Sequence, residues 1–181
     1  LKVKLADYFD ESQTEDIFDY IPPQKTNQIY TPKRVVKQMV EALEQEDPHV
    51  FENPDRTFAD LYMKSGLYIT ELVKRLYNNE KIKQAIPDDH ARLKHILENQ
   101  VFGFAPTEII YRIALAFIFG NDEKFKDIDK RNFLQVDTLP YAKAGTMQEL
   151  LNEKFGDRMQ EWQVFCVLEL TLSDAVSAME D

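Results

Sequence analysis

The chain has 181 residues, of which 44% are hydrophobic and 30% are charged. That length is enough for one domain with a buried core, and the composition is typical of soluble globular proteins. Acidic residues outnumber basic ones by 32 to 22, which gives a formal net charge of −10. This balance disfavours a protein that binds nucleic acid by its own surface, because such a surface needs Lys and Arg to neutralise the phosphates.

Two further features of the composition concern location. The single cysteine, Cys166, excludes a disulfide within the chain and fits a reducing compartment. No apolar run is long enough to cross a bilayer, and no signal peptide opens the chain. We therefore expect a cytoplasmic protein with no membrane partner. The start at Leu1 rather than at methionine is what we expect of an excised segment, a trimmed tag or a processed chain.

The chain begins with an acidic stretch of partly helical pattern, which Pro22-Pro23 ends. We predict that residues 1–27 are a helical connector and that residues 28–181 form the main domain. A helix is predicted to begin at Thr31-Pro32, because threonine can cap a helix and proline suits its first turn. Apolar residues at helical spacing follow: Val35, Val36, Met39, Val40 and Leu43.

Beyond a predicted loop at residues 44–55, short apolar runs alternate with longer amphipathic ones. Strands are predicted at Thr57–Asp60, Gln100–Ala105, Asn132–Asp137 and Gln163–Leu170. Helices are predicted after the turn at 64–66, over Asp88–Glu98, from Pro106 to Gly120 and over Met147–Phe155. Strands separated by helices predict an α/β domain with a mostly parallel sheet in a three-layer arrangement.

Three of these strands end in residues that suit a ligand. Asp60 precedes a turn that contains Gly66, Ala105 is followed by Pro106, and Asp137 ends the third strand. Ligands of open α/β sheets bind outside the carboxyl ends of the strands, and a glycine turn before a helix lets a ligand approach the backbone. For any one of these sites the alternative is an ordinary helix cap or turn residue. Three sites in register favour a cleft.

Four segments extend this pattern along the chain. Gln28–Val36 reads QIYTPKRVV, Phe58–Ile69 reads FADLYMKSGLYI, Val101–Thr107 reads VFGFAPT and Asn132–Leu139 reads NFLQVDTL. In this order they resemble motifs X, I, II and III of the adenine-specific (N6) DNA methyltransferases of restriction–modification systems, in the group whose motif X precedes motif I. The resemblance covers about residues 28–139.

The resemblance implies a Rossmann-like fold with S-adenosylmethionine as its cofactor. It implies that Thr31 and its neighbours line the methionine end of the cofactor and that Asp60 lies near its amino group. Ser65-Gly66 is implied to form the turn beneath the cofactor, with Asp137 facing the amine of its adenine. The residues implied to bind the cofactor are Tyr30, Thr31, Pro32, Asp60, Tyr62, Ser65, Gly66, Phe104, Asp137 and Leu139.

Three positions depart from the family pattern. Leu61 stands where motif I has proline, and Lys64 stands where it has its first glycine. At the motif II position that offers an acid to the ribose hydroxyls, the chain has Phe104-Ala105. Loss of such a paired hydrogen bond weakens binding by roughly 1–3 kcal/mol.

The largest departure concerns catalysis. The family carries an N-P-P-Y or similar tetrapeptide that holds the flipped-out adenine, and this sequence contains none. We therefore assign no catalytic residue and no metal ligand. We predict the cofactor-binding portion of a restriction–modification methyltransferase, truncated and inactive alone, whose DNA contacts lie in regions outside this chain. The alternative is a non-catalytic scaffold module with a decayed cofactor pocket, docked on other restriction–modification subunits.

Overall fold

A computed structural model of the chain describes residues 8–9, 31–120 and 122–159. Its helices are α1 (Lys33–Glu46), α2 (Leu67–Asn78), α3 (Glu80–Ala85), α4 (Asp89–His95), α5 (Glu108–Phe119), α6 (Leu139–Ala144) and α7 (Met147–Phe155). Its strands are β1 (Phe58–Asp60), β2 (Val101–Ala105) and β3 (Phe133–Gln135). A π-helical turn, Ile96–Gln100, joins α4 to β2.

The three strands form one parallel sheet in the order β1-β2-β3. Asp60 at the end of β1 is level with Gly103, so β2 extends beyond β1 and its last residue, Ala105, pairs with Gln135 of β3. Helical segments connect the strands, as parallel pairing requires. The described residues therefore form the mixed α/β domain with a parallel sheet that the sequence predicts, and this arrangement is consistent with a Rossmann-like fold.

Helices cover both faces of the sheet. Phe58, Val101 and Phe133 point to the face on which α1, α2 and α5 pack, and they share one core with those helices. Phe102 and Phe104 point to the opposite face and pack against α7. Because side chains of a strand alternate between faces, each strand contributes to both cores. The layers are therefore helix, sheet and helix.

Most element boundaries lie within a few residues of the sequence prediction, with corrections at the starts of α1 and α5. Pro32 rather than Thr31 is the N-cap residue, and α1 has no side-chain cap hydrogen bond. Helix α5 begins after Thr107, whose hydroxyl accepts from the backbone N–H of Ile110 at 3.3 Å, not at Pro106. The short helices α3 and α6 were not predicted, because six residues are too few to show a clear period.

Part of the predicted connector 1–27 packs against this domain. The ring of Tyr8 is buried and lies 6.3 Å from the rings of both Phe117 and Phe125, and Phe9 lies 4.9 Å from Tyr77 between ring centroids. The predicted fourth strand, Gln163–Leu170, lies outside the described residues. Within the described part of the chain, no helix combines the length and the apolar character that crossing a bilayer needs.

Candidate functional site

The candidate site lies at the carboxyl edge of the sheet, where β1 leads into α2. Asp60, the last residue of β1, is only 2% exposed. Its Oδ1 accepts a hydrogen bond from the backbone N–H of Tyr62 at 3.1 Å. This contact holds the carboxylate against the loop that follows the strand. An acidic side chain buried to this extent needs such compensation, because burial disfavours its charged form.

A tight turn at Ser65-Gly66 then starts α2. Gly66 is the N-cap residue and has a φ of +82°, a conformation that glycine adopts without strain. The Ser65 hydroxyl accepts from the backbone N–H of Leu67 at 3.2 Å. A Cβ atom on Gly66 would lie 3.1 Å from Cγ1 of Ile118 in α5 and 3.3 Å from the Ala114 carbonyl oxygen. The glycine is thus needed for packing against α5, whatever part it has in ligand binding.

Helix α1 packs against α2, the helix that begins at this edge. Arg75, in the last turn of α2, forms ion pairs with Glu44 at 2.7 Å and Glu41 at 3.5 Å in the second half of α1. The C-terminal halves of α1 and α2 thus lie side by side, and the placement of Thr31 and Pro32 beside Asp60 stays a prediction. Tyr30 lies outside the described residues.

The end of β3 contributes a second acidic group. Asp137 is exposed, and its Oδ1 accepts from the backbone N–H of Leu139 at 3.1 Å, which caps α6. The half-buried Tyr62 lies near this carboxylate. Burial, and in second place the negative charge of Asp137, raise the pKa of the Tyr62 hydroxyl above its usual value. The loops after β1 and β3 thus bring the Tyr62 hydroxyl within electrostatic range of the Asp137 carboxylate. Leu139, two residues after Asp137, is half-buried.

The structure separates Phe104 from this group. Asp60 pairs with Gly103, so the alternation along β2 directs the next side chain, Phe104, to the other face of the sheet. Phe104 is 1% exposed, and its ring centroid lies 5.1 Å from that of Phe155 in α7. Its implied contact with a cofactor stays a prediction. The sequence did not reveal this separation because the face depends on the register between strands.

The three departures from the family pattern occupy different environments. Leu61 is 3% exposed and packs in the core beneath α7, so it has a structural use where the family has proline. Ala105 is fully buried in the opposite core and offers no polar group at the end of β2. Lys64 is half-buried in the turn before α2.

Thr138 is a residue of this edge to which the sequence assigned no role. It is fully buried, and its hydroxyl donates to the Leu61 carbonyl oxygen at 2.6 Å. The sequence offered only one signal, the position of Thr138 next to Asp137. A threonine there is ordinarily interpreted as a helix cap.

The residues of this edge carry groups with the chemistry to contact the two ends of an amino-acid nucleoside. Asp60 can accept from an ammonium group, and the start of α2 at Gly66 favours a carboxylate. Asp137 can accept from an exocyclic amine beside the ring of Tyr62. For the ribose hydroxyls in the middle of such a ligand, the side chain of Ala105 provides no acceptor. Among the described residues, no group of three or more His, Cys, Asp and Glu side chains is arranged to hold a metal ion.

Comparisons with known proteins agree with this architecture. No protein-family model matches the chain. An uncharacterized adenine-specific methylase of Mycoplasma pneumoniae is 29% identical to it over 98 residues, which are 54% of this chain and 23% of that protein. Among solved structures, the ATP-dependent Type ISP restriction–modification enzyme LlaBIII bound to DNA superimposes with a TM-score of 0.52 at 17% identity. That match covers 76% of this chain and 10% of the enzyme, and it supports the fold.

Proposed function

We propose that this chain is the cofactor-binding portion of a DNA adenine-N6 methyltransferase of a restriction–modification system, with S-adenosylmethionine as its ligand. One observation carries the proposal. Asp60 is buried at the carboxyl end of β1 and is followed by the Ser65-Gly66 turn, which starts α2. This arrangement sets a carboxylate beside a helix N-terminus, as a ligand with both an ammonium and a carboxylate group requires.

Similarity to known proteins supports a methyltransferase-related role. The aligned relative is described as an adenine-specific methylase, and the superimposed structure is a restriction–modification enzyme bound to DNA. The chain spans about a quarter of that relative's length and a tenth of that enzyme. Methyl transfer to adenine N6, and the DNA contacts that it needs, are accordingly proposed for the whole protein. DNA is its expected partner through regions outside this chain.

In this proposal the residues of the carboxyl edge each bind a different part of the ligand. Asp60 accepts from the ammonium group, and the start of α2 faces the carboxylate. Asp137 accepts from the adenine amine, and Tyr62 lies along the adenine ring. S-adenosylmethionine would supply the methyl group on its sulfonium. The chain's own residues bind and orient it.

Calorimetric titration of the purified 181-residue chain with S-adenosylmethionine and S-adenosylhomocysteine tests the proposal. We expect a dissociation constant in the micromolar range. Asp60→Asn keeps an oxygen that can accept from the Tyr62 N–H but removes the charge. We expect it to weaken binding roughly 10- to 100-fold, because a hydrogen bond to a charged group contributes about 1.5–3 kcal/mol.

Asp55→Asn is the matched control, because it removes an exposed carboxylate from the loop before β1. It should bind as the unmodified chain does. Circular dichroism should show that both variants are folded. Absence of binding to the folded, unmodified chain contradicts the proposal, and so does equal binding by Asp60→Asn.

A second candidate is a non-catalytic interaction or scaffold module of a restriction–modification complex. The observation that favours it is Ala105, which is buried in the core where the resembled family has an acid for the ribose. A folded chain that binds neither S-adenosylmethionine nor S-adenosylhomocysteine supports this candidate over the first.

A further inference from the structure

The loops that follow β1 and β3 meet over the carboxyl end of β2, although β2 separates those strands in the sheet. The backbone N–H of Met63, after β1, donates to the Phe104 carbonyl oxygen at 2.6 Å. From the other side, the backbone N–H of Val136 donates to the Ala105 carbonyl oxygen at 2.9 Å. Both loops are thus held to the last two residues of the central strand.

A side-chain hydrogen bond joins these two loops directly. The hydroxyl of Thr138 donates to the carbonyl oxygen of Leu61 at 2.6 Å, across 77 positions of sequence. Leu61 lies between Asp60 and Tyr62 in the chain, and Thr138 follows Asp137. The bond therefore links the backbone beside each of the two candidate ligand-binding carboxylates.

The hydroxyl of Thr138 is not used for the local purpose that its position suggests. Thr138 is the N-cap residue of α6, yet it makes no side-chain cap hydrogen bond. Asp137 instead accepts from the backbone N–H of Leu139. Thr138 is fully buried, so the loss of its hydroxyl would leave the Leu61 carbonyl without this donor in an environment that water does not reach.

We propose that Thr138 is a positioning residue of the ligand site, whose hydroxyl fixes the Tyr62 side of the site against the Asp137 side. The proposal rests on the proposed function for the identity of the ligand, a nucleoside with an exocyclic amine. Both loops stay bonded to β2 without this link, but they are no longer fixed directly to each other, and the loop after β1 can shift relative to Asp137. The ring of Tyr62 and the carboxylate would then no longer be held for the same adenine.

Three variants of the full chain test the role of the hydroxyl. Thr138→Val keeps the shape and removes the donor, whereas Thr138→Ser keeps the donor. Thr70→Val is the matched control, because the Thr70 hydroxyl is also buried and donates to a carbonyl, but to that of Leu67 within the same helix turn. If circular dichroism shows that Thr138→Val is unfolded, Thr138→Ala takes its place.

The first measurement is the affinity for S-adenosylhomocysteine by calorimetry. We expect Thr138→Val to weaken binding about tenfold, equivalent to one buried hydrogen bond, and Thr138→Ser to restore most of it. Thr70→Val should bind normally. Unchanged affinity in a folded Thr138→Val overturns the proposal. Equal weakening in Thr138→Ser also overturns it, since packing rather than the hydroxyl would then matter.

The second measurement does not need a ligand. Tyrosine labelled with ¹³C at Cζ reports the titration of each hydroxyl by NMR, and Tyr62→Phe identifies the signal of Tyr62. In Thr138→Val we expect the pKa of Tyr62 to fall toward its usual value as Tyr62 moves away from Asp137, with Thr138→Ser and Thr70→Val unaffected. An unchanged Tyr62 titration contradicts the positioning role. If the unmodified chain binds no ligand, the proposed function fails, and this titration still decides the role of Thr138.

Discussion

The sulfur of Met63 lies 3.0 Å from the position that a Cβ atom on Gly103 would occupy. Gly103 is in the middle of β2, and the same Cβ would lie 3.2 Å from Cδ1 of Phe133 on β3. The absence of a side chain at Gly103 thus lets the loop that leaves β1 pack over the centre of the sheet. The turn toward Ser65 depends on this close approach.

Gly103→Ala should therefore destabilise the domain. We expect a loss of about 1–3 kcal/mol in the free energy of unfolding, because inserting a methyl group into a packed core forces its neighbours to move. Chemical denaturation measures it. In a Met63→Ala background the same change should cost less, since the nearest neighbour is then shortened. Equal costs in both backgrounds would contradict the assignment of the strain to Met63.

Gly66→Ala should destabilise the domain more than the same substitution at another glycine of positive φ. Gly66 combines a φ of +82° with the close contacts to α5, whereas Gly145 has a φ of +70° and no atom within 4 Å of an added Cβ. Gly145→Ala should cost about 1–2 kcal/mol from backbone conformation alone. Gly66→Ala should cost about 1–3 kcal/mol beyond that, from overpacking. Equal midpoints of thermal unfolding for Gly66→Ala and Gly145→Ala would show that the contact with Ile118 adds no destabilisation.

Asn132 should be a stability determinant at the opposite end of β3. Its buried Nδ2 donates to the carbonyl oxygens of Glu98 at 2.9 Å and Val101 at 3.2 Å, and its Oδ1 accepts from Arg158 at 2.6 Å. Asn132→Ala should lower the free energy of unfolding by about 2–4 kcal/mol, because it leaves buried carbonyl groups without this donor.

The matched control for Asn132 is Asn152→Ala. The amide of Asn152 is exposed and accepts from Gln148 on the surface of α7. Its removal should change the stability by less than about 0.5 kcal/mol. Denaturation that shows similar losses for both variants would contradict the importance of the buried network.

Acid should weaken the link between α4 and the loop before β3. A hydrogen bond from Lys94, followed by one from His90, lowers the pKa of Asp127 from 3.8 to about 2. A carboxylate whose pKa is lower in the folded state than in the unfolded chain stabilises the folded state above about pH 4. This contribution to stability is lost as the pH falls toward 2. Asp127→Asn should therefore flatten the acid limb of a stability–pH curve. Asp55→Asn, which removes an exposed carboxylate from the loop before β1, is the control, and an identical effect of both variants would contradict the ion-pair origin.

Local patterns in the sequence were enough to predict most elements and the end of the sheet that carries the site. The apolar runs that became β1, β2 and β3 are short and bounded by turn residues, and Met147–Phe155 forms a helix with the predicted bounds. These predictions succeed because periodicity and turn chemistry act between near neighbours. Since parallel strands end at one edge, the predicted parallel pairing was enough to place Asp60 and Asp137 at the same edge.

The tertiary structure decided which of the candidate side chains share that edge. The pairing of Asp60 with Gly103 sends Phe104 to the opposite core, and a shift of register by one residue would reverse this. The hydrogen bond of Thr138 to Leu61 spans 77 positions, so no local pattern reports it. A threonine next to an aspartate predicts a cap. The actual partner of Thr138 is set by the way in which the loops after β1 and β3 fold over β2, which is a property of the packed sheet.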